Sequence, residues 1–529
     1  MSRSKSFIRL QELQAIAHLC LINKVPVDEG IEIFQFDKSP TIAQSLESAR
    51  GAVTSLASKA LTNLKRKKHP HSHAPSIGIV GAGIAGLSCG YELAKRGIRA
   101  SLYEGSERVG GRCYSQTNFF GHNIELGGEL IDSRHDHMLA YAREFGLTLE
   151  DITKIPGEHA YYFFGQHYRD QDIIEDYNAL VAAMQDDLQM LSAQPTAQQH
   201  TEHDARLDKI NLSDYLDSKG ASPLLKAVFR TACEGEYGVP LEQQSCLSFL
   251  LFMNSDRNTY WRPWGLFSDE RYHVVEGNQQ IPLRMAAQLE TQIHYQMALE
   301  HIGRTANGQV QLSFANGQVI KHDLVVLAIP FSVLKNIALD DSLQFPAWKN
   351  HAIASLQSGT NAKTMYAFQR PYWRELGYDG LAEADLPNHQ TTWETNPTLA
   401  TSQHAILTDF SSGKRGASLL PDAVQKNAAA FLRDLNLVYP GIQGLEIRTD
   451  DAQIAAVLQA WPHNEFAKGS YSCNAPGYFT GIAGLEALPV GNVLFAGEHT
   501  DSVYDWQGTM EGALRSGIRA AQQIRDWRL

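Results

Sequence analysis

The stretch Ser76-Ile77-Gly78-Ile79-Val80-Gly81-Ala82-Gly83-Ile84-Ala85-Gly86 decides the fold of this chain. Its apolar first half predicts a strand, and Leu87, Tyr91 and Ala94 at helical spacing predict a helix directly after the glycines. Gly81 permits the tight turn, Gly83 lets the backbone approach a pyrophosphate, and Gly86 allows close packing of helix on strand. The helix N-terminus adds free N–H groups and partial positive charge, which suit a phosphate. Glu104, near the end of a second strand, stands where a carboxylate can accept hydrogen bonds from an adenosine ribose. Strand, glycine turn, helix and distal acid together predict a dinucleotide site, open at this point to NAD or FAD.

Composition bounds the rest. With 529 residues, 43% of them hydrophobic and 20% charged, the chain can bury a large core and should divide into two or three domains. A formal net charge of -12 argues against nucleic acid as a partner, because phosphate-binding surfaces need clustered Lys and Arg. One basic run, Lys65-Arg66-Lys67-Lys68 followed by His69, His71 and His73, reads as a solvated linker. The six cysteines show no CxxC spacing, so buried thiols are expected and a structural metal is not. The N-terminus lacks the apolar core of a signal peptide and no stretch approaches the length of a membrane span, which makes the cytoplasm the expected location.

Along the chain, residues 1–75 predict a helical extension, with helices over roughly Ile8 to Leu21 and Ile42 to Leu64, packed on the main body or on a neighbouring subunit of a homo-oligomer. Residues 76–137 form the first part of the dinucleotide-binding domain, 138–267 an inserted domain of mostly helical pattern, and 268–330 a second dinucleotide-binding part. The unbroken apolar run Asp323 to Pro330 predicts a buried strand there. Residues 331–470 alternate strands and helices and are rich in aromatics, which suits a substrate-binding lobe, and 471–529 close the dinucleotide-binding domain. In that last part the strand Asn492 to Glu498 leads to a helix from Thr509 to about Trp527, whose N-terminus also points at a ligand.

Three separated segments then converge. Gly81 to Gly86 with Glu104 and Gly110-Gly111-Arg112, Ile124-Glu125-Leu126-Gly127-Gly128-Glu129, and Phe495 to His499 with Trp506 to Ala513 together resemble the flavin amine oxidases, which include monoamine, polyamine and L-amino-acid oxidases. The resemblance covers residues 75–529 and is greatest to bacterial-type L-amino-acid oxidases. It implies an α/β fold: a Rossmann-like FAD-binding domain, a mixed-sheet substrate-binding domain and an inserted helical domain. It also implies FAD contacts at Gly81, Gly83, Ile84, Ala85, Gly86, Glu104, Gly111, Arg112, Gly127, Gly128, Glu129, Ile302, Glu498, Gly508, Thr509 and Met510. Ser470 stands where monoamine oxidases carry the flavin-linking cysteine, so the FAD is expected to be noncovalent.

The reaction implied is oxidation of an amine or amino acid by molecular oxygen, with loss of a hydride equivalent from the α-carbon and release of ammonia and hydrogen peroxide. Lys363 matches the family lysine that holds a water near the flavin. Tyr471 matches one of the two tyrosines that flank the amine in monoamine oxidases, and Thr509 replaces the other, which leaves a roomier site. Trp393, Trp461 and Glu129 complete the expected substrate contacts. No arginine follows Glu129 in register to bind a substrate carboxylate, and Arg134 is displaced. The acids Glu129, Glu234, Glu236, Glu394 and Asp505 could receive a cationic side chain, which favours L-arginine or L-lysine as substrate; a monoamine or polyamine oxidase and an amino-acid 2-monooxygenase are the alternatives.

Overall fold

The computed structural model describes residues 74–153, 155–253, 269–396, 403–501 and 506–528, together with Lys5, Arg9, Leu10, 12–14, 16, 17, Cys20, Pro26 and Val27. The predicted strand and helix at the glycine turn are Ile77–Val80 and Ile84–Ala94. They belong to a five-stranded sheet in the order Val493–Phe495, Leu324–Leu327, Ile77–Val80, Ser101–Tyr103, Ile293–His294, every pair parallel. All four residues of Ile77–Val80 and of Leu324–Leu327 are buried, as a parallel sheet covered on both faces requires. The sheet therefore draws strands from all three dinucleotide-binding parts, and the C-terminal helix Met510–Arg528 packs on Ile84–Ala94.

The substrate lobe is a seven-stranded mixed sheet in the order Ala456–Ala460, Ala362–Phe368, Ala405–Ser411, His389–Thr395, Tyr378–Leu386, Glu158–Phe163, Gln166–Tyr168. Its pairs are antiparallel except Tyr378–Leu386 with Glu158–Phe163. This differs from the sequence expectation, which ran the helical domain unbroken from residue 138. The aromatic segment Glu158–Phe163 crosses instead to the edge of the substrate sheet, turning back through Phe164 and Gly165, both at positive φ. Beyond it the insertion is helical, with Asp170–Met190, Pro223–Tyr237 and Cys246–Met253 as its longest helices. Ile302 lies fully buried in Leu299–Arg304, within a separate four-stranded sheet.

The described N-terminal residues pack on the main body. Leu10, Leu13, Ile16 and Ala17 are buried in one cluster with Ile173, Tyr177 and Val181 of the helix Asp170–Met190. Tyr177 donates to Gln14 Oε1 at 3.2 Å, and Arg9 pairs with Asp170. The predicted helix Ile42 to Leu64 falls outside the described residues.

Candidate active site

At the glycine turn the structure supplies the reason for each glycine. Gly81 has φ +98°, and a Cβ there would lie 2.8 Å from Ala328 O; a Cβ on Gly86 would lie 1.9 Å from Gly81 O. Both are dictated by the fold. Gly83 is different: a Cβ there would meet only Gly111 Cα at 3.8 Å, an ordinary contact, so the chain itself does not require glycine at this position. The helix that follows has a buried N-terminus with Gly83 as N-cap and no side-chain cap, although buried N–H groups need partners. A ligand diphosphate meets both conditions, since it needs the space above Gly83 and takes the open N–H groups. The residues present thus fit the adenosine diphosphate end of FAD.

Glu104 sits beside this turn, its Oε2 accepting from Ala82 N at 2.8 Å and its Oε1 from Ser106 N and Oγ at 2.9 and 2.7 Å. Gly110 N donates to Ala82 O at 2.9 Å, which brings Gly111 and Arg112 alongside. Arg112 Nη1 reaches Ser470 O at 2.6 Å and Glu498 Oε1 at 2.8 Å. Glu498 in turn accepts from Ser472 Oγ at 2.6 Å and from Gly508 N at 3.0 Å. Burial alone would raise its carboxyl, but the charge of Arg112 and the hydrogen bonds from Ser472 and Arg112 hold it at about 2. Glu498 thus ties three segments of the chain together as a carboxylate.

At the C-terminal helix, where FAD contacts are expected at Gly508, Thr509 and Met510, the backbone amides are partly committed within the protein. Gly508 N is bound to Glu498, and Thr509 donates N–H and Oγ1–H to Trp506 O at 3.2 and 2.7 Å. Thr509 Oγ1 also accepts from Gly512 N at 3.0 Å, so this buried threonine caps its helix. Met510 packs where a Cβ on Gly128 would strike its Sδ at 2.7 Å. Gly127 is equally crowded, a Cβ there lying 1.8 Å from Arg112 O.

Lys363, near the start of Ala362–Phe368, the second strand of the substrate sheet, is buried and points all three of its donors at one loop. Its Nζ lies 3.2 Å from Glu125 O, 2.9 Å from Gly127 O and 2.6 Å from Glu129 Oε2. Trp393 Nε1 donates to Glu129 Oε1 at 3.0 Å, and the Lys363 ammonium stands 5.6 Å from the Trp393 ring centre. Burial pushes the Glu129 carboxyl up, but Lys363 and Trp393 outweigh it and the group stays below the ordinary range. Glu125, four residues earlier, behaves oppositely: burial outweighs the hydrogen bonds from Asn278 N and Ser115 Oγ, and its carboxyl rises to about 8. The sequence placed Glu125 in the right segment without assigning it a state.

Tyr471 and Trp461 are both buried. Tyr471 donates its hydroxyl to Gly235 O at 2.6 Å and lies beside Gly508, whereas Trp461 Nε1 goes to Leu126 O at 3.0 Å and so braces the Glu125–Glu129 loop. Ser470 Oγ is bound to Asn361 Oδ1 at 2.6 Å, and Cys473 is buried in the ladder with Gln357. Three of the acids offered for a cationic side chain are already paired, Glu129 with Lys363 and Trp393, Glu394 with Arg374 and Trp373, and Glu234 with Arg230. Asp505 lies outside the described residues. The six cysteines are all buried free thiols.

Comparison with known proteins accords with this geometry. The family model for flavin-containing amine oxidoreductases matches residues 84–525, and the chain belongs to that family. It is therefore a flavin-dependent oxidoreductase that uses FAD and acts on amines. It is 24% identical over 478 residues to an L-amino-acid oxidase of Notechis scutatus scutatus, covering 86% of this chain and 87% of that one. It is 23% identical over 466 residues to a flavin-containing amine oxidase of Danio rerio, covering 86% of each, and 24% identical over 475 residues to an L-amino acid dehydrogenase of a Synechocystis species, covering 84% and 94%. In fold it is similar to cyclohexylamine oxidase from Brevibacterium oxydans, with a TM-score of 0.72 at 20% identity over 86% of this chain and 99% of that one. Putrescine oxidase with bound putrescine gives 0.70 at 19% identity, over 85% and 99%.

Proposed function

We propose that this protein oxidatively deaminates an L-amino acid, preferentially one with a basic side chain, to the 2-oxo acid, ammonia and hydrogen peroxide. The observation that carries the reading is the buried Lys363–Glu129–Trp393 group, braced against the loop that ends the Ile124–Glu129 segment. The chemistry supplied by bound FAD is acceptance of a hydride equivalent from the substrate α-carbon, with molecular oxygen as final acceptor. The protein's own contribution is positioning and charge. Lys363 holds the Glu125–Glu129 loop by two carbonyls and keeps Glu129 ionised, so a water carried by Lys363 must share one of these donors. Tyr471, tethered through its hydroxyl to Gly235, offers a fixed ring face, and Thr509 leaves more room than an aromatic would. The names of the relatives favour an amino acid, and the surplus of acids near Glu129 favours a cationic one.

A monoamine or polyamine oxidase is the second reading, favoured by the absence of an arginine in register after Glu129; Arg134 lies over the Trp506 ring, at 5.3 Å. Anaerobic mixing of the yellow holoenzyme with L-lysine and L-arginine, and with cadaverine and agmatine, separates the two. Bleaching by the amino acids supports the first reading, and bleaching by the amines alone replaces it with the second. Carbon dioxide release without matching peroxide would indicate the 2-monooxygenase. Cytoplasmic residence and a homo-oligomeric state belong to the same proposal, to be read by cell fractionation and light scattering.

A further inference from the structure

Glu270 is an ionisable group with no assigned task in a place where charge is expensive. Its side chain is 4% exposed, and neither carboxylate oxygen has a hydrogen-bond partner among the described residues. Its backbone is held at φ +44° while its N–H donates to Asp132 Oδ1 at 2.8 Å. A non-glycine residue in this conformation is strained, and a buried unpartnered carboxyl in a native protein calls for an explanation. Its surroundings supply one. Its segment is paired with the stretch that runs on from Glu129: Ile131 and Tyr272 exchange backbone hydrogen bonds at 2.7 and 2.9 Å, which sets Glu270 beside the continuation of the Ile124–Glu129 segment, where its carboxyl also acts on Glu129 and Tyr471. Burial, Asp132, Glu236 and Glu129 all disfavour its charge and hold the carboxyl well above the ordinary range, with the charge of Lys5 opposing them. An added cation is what would let this carboxyl ionise, and the Lys363–Glu129–Trp393 group makes no use of it.

We propose that Glu270 receives the distal cation of a basic substrate, an ammonium or guanidinium on an alkyl chain whose reacting end lies beside Glu129 and Tyr471. The inference rests on the oxidase reading above and specifies its substrate class. A cation with two or more donors would satisfy both free oxygens and offset the repulsion from Asp132 and Glu236, whereas a neutral side chain would leave Glu270 buried and unmatched.

Steady-state oxidation of L-lysine and of its uncharged analogue L-norleucine tests this, using holoenzyme and the variants Glu270→Gln and Glu270→Asp checked for bound FAD. Glu270→Gln is expected to lower kcat/KM for L-lysine by about 30-fold or more, chiefly through KM, as removal of one partner from a buried charge pair does. L-norleucine should be unaffected or improved, and Glu270→Asp should retain part of the preference for L-lysine. Equal losses on both substrates, or an unchanged ratio, overturn the assignment and leave the oxidase reading intact. A wild-type enzyme that oxidises L-norleucine better than L-lysine overturns it without any variant. Failure of every amino acid to bleach the flavin sinks the oxidase reading instead.

Discussion

At the scale of the residue, Lys363 and Glu129 form a pair that neither can leave cheaply. Substituting one partner of a buried ion pair strands the other charge, typically at about 3–5 kcal/mol. Lys363→Met is therefore expected to lower stability in urea by that order, and adding Glu129→Gln should recover a substantial part of the loss. Turnover should fall in both proteins, because the loop held through Glu125 O and Gly127 O is released in either case. Glu125 makes a second prediction, in pH. Its carboxyl rises to about 8 in the folded chain, so between its ordinary value and that point the folded state keeps a proton that the unfolded state has released. Its contribution is complete below the ordinary carboxylate range and is lost as pH rises towards about 8. Thermal melts should show Tm declining across this window, and Glu125→Gln should flatten the decline.

At the scale of the element, the helix pair Ile84–Ala94 and Met510–Arg528 holds the glycine turn in place. Its close approach depends on Gly517, where a Cβ would lie 2.0 Å from Ser88 Oγ and 2.2 Å from Ala85 O. The hydroxyl can rotate away but the carbonyl cannot. Gly517→Ala should cost about 1–3 kcal/mol, the usual range for overpacking, and should weaken FAD retention because the strained partner is the first turn of the phosphate-facing helix. Differential scanning of holo and FAD-stripped protein would check both effects. The same contrast explains what was legible in the sequence. Gly81 and Gly86 were readable because glycine spacing reports local steric demand, Gly83 because it leaves room for a ligand, and the unbroken run Leu324–Leu327 because a doubly covered strand must be apolar throughout. The hairpin at Glu158–Tyr168 also left a trace, aromatics flanking Phe164-Gly165, but helical patterning on its C-terminal side obscured it. Glu270 left none: Asp269-Glu270-Arg271 reads as a solvated charge cluster, and only the tertiary fold buries its middle member. Thr509 was placed at the right turn, but that its hydroxyl would cap the helix depended on the path of Trp506.

At the scale of the whole molecule, the N-terminal segment extends from its packing on the helical insertion to the acids of the reaction centre. The Lys5 charge acts on Glu129, Glu270, Asp379 and Glu394 at once. An alkylammonium of the chain and the side chain of a basic substrate therefore compete for one field. Lys5→Met is expected to lower KM for L-lysine several-fold while leaving kcat and L-norleucine oxidation unchanged, as steady-state peroxide assays would read. No change in KM would show that Lys5 adds only background charge.

The Ser88 hydroxyl reaches Leu514 O across 426 positions of chain, and the parallel sheet likewise joins Ile77–Val80 to strands made long after it. At synthesis rates of about 5–20 residues per second, Ile77–Val80 waits roughly 12–50 seconds for its neighbour Leu324–Leu327, and the sheet receives Val493–Phe495 only after roughly 20–85 seconds. During that interval one edge of the apolar strand lacks its partner, and the cofactor has no closed cradle to enter. Because the helix Met510–Arg528 packs on the phosphate-facing helix, a chain truncated before Met510 is expected to emerge colourless and dependent on chaperones for solubility.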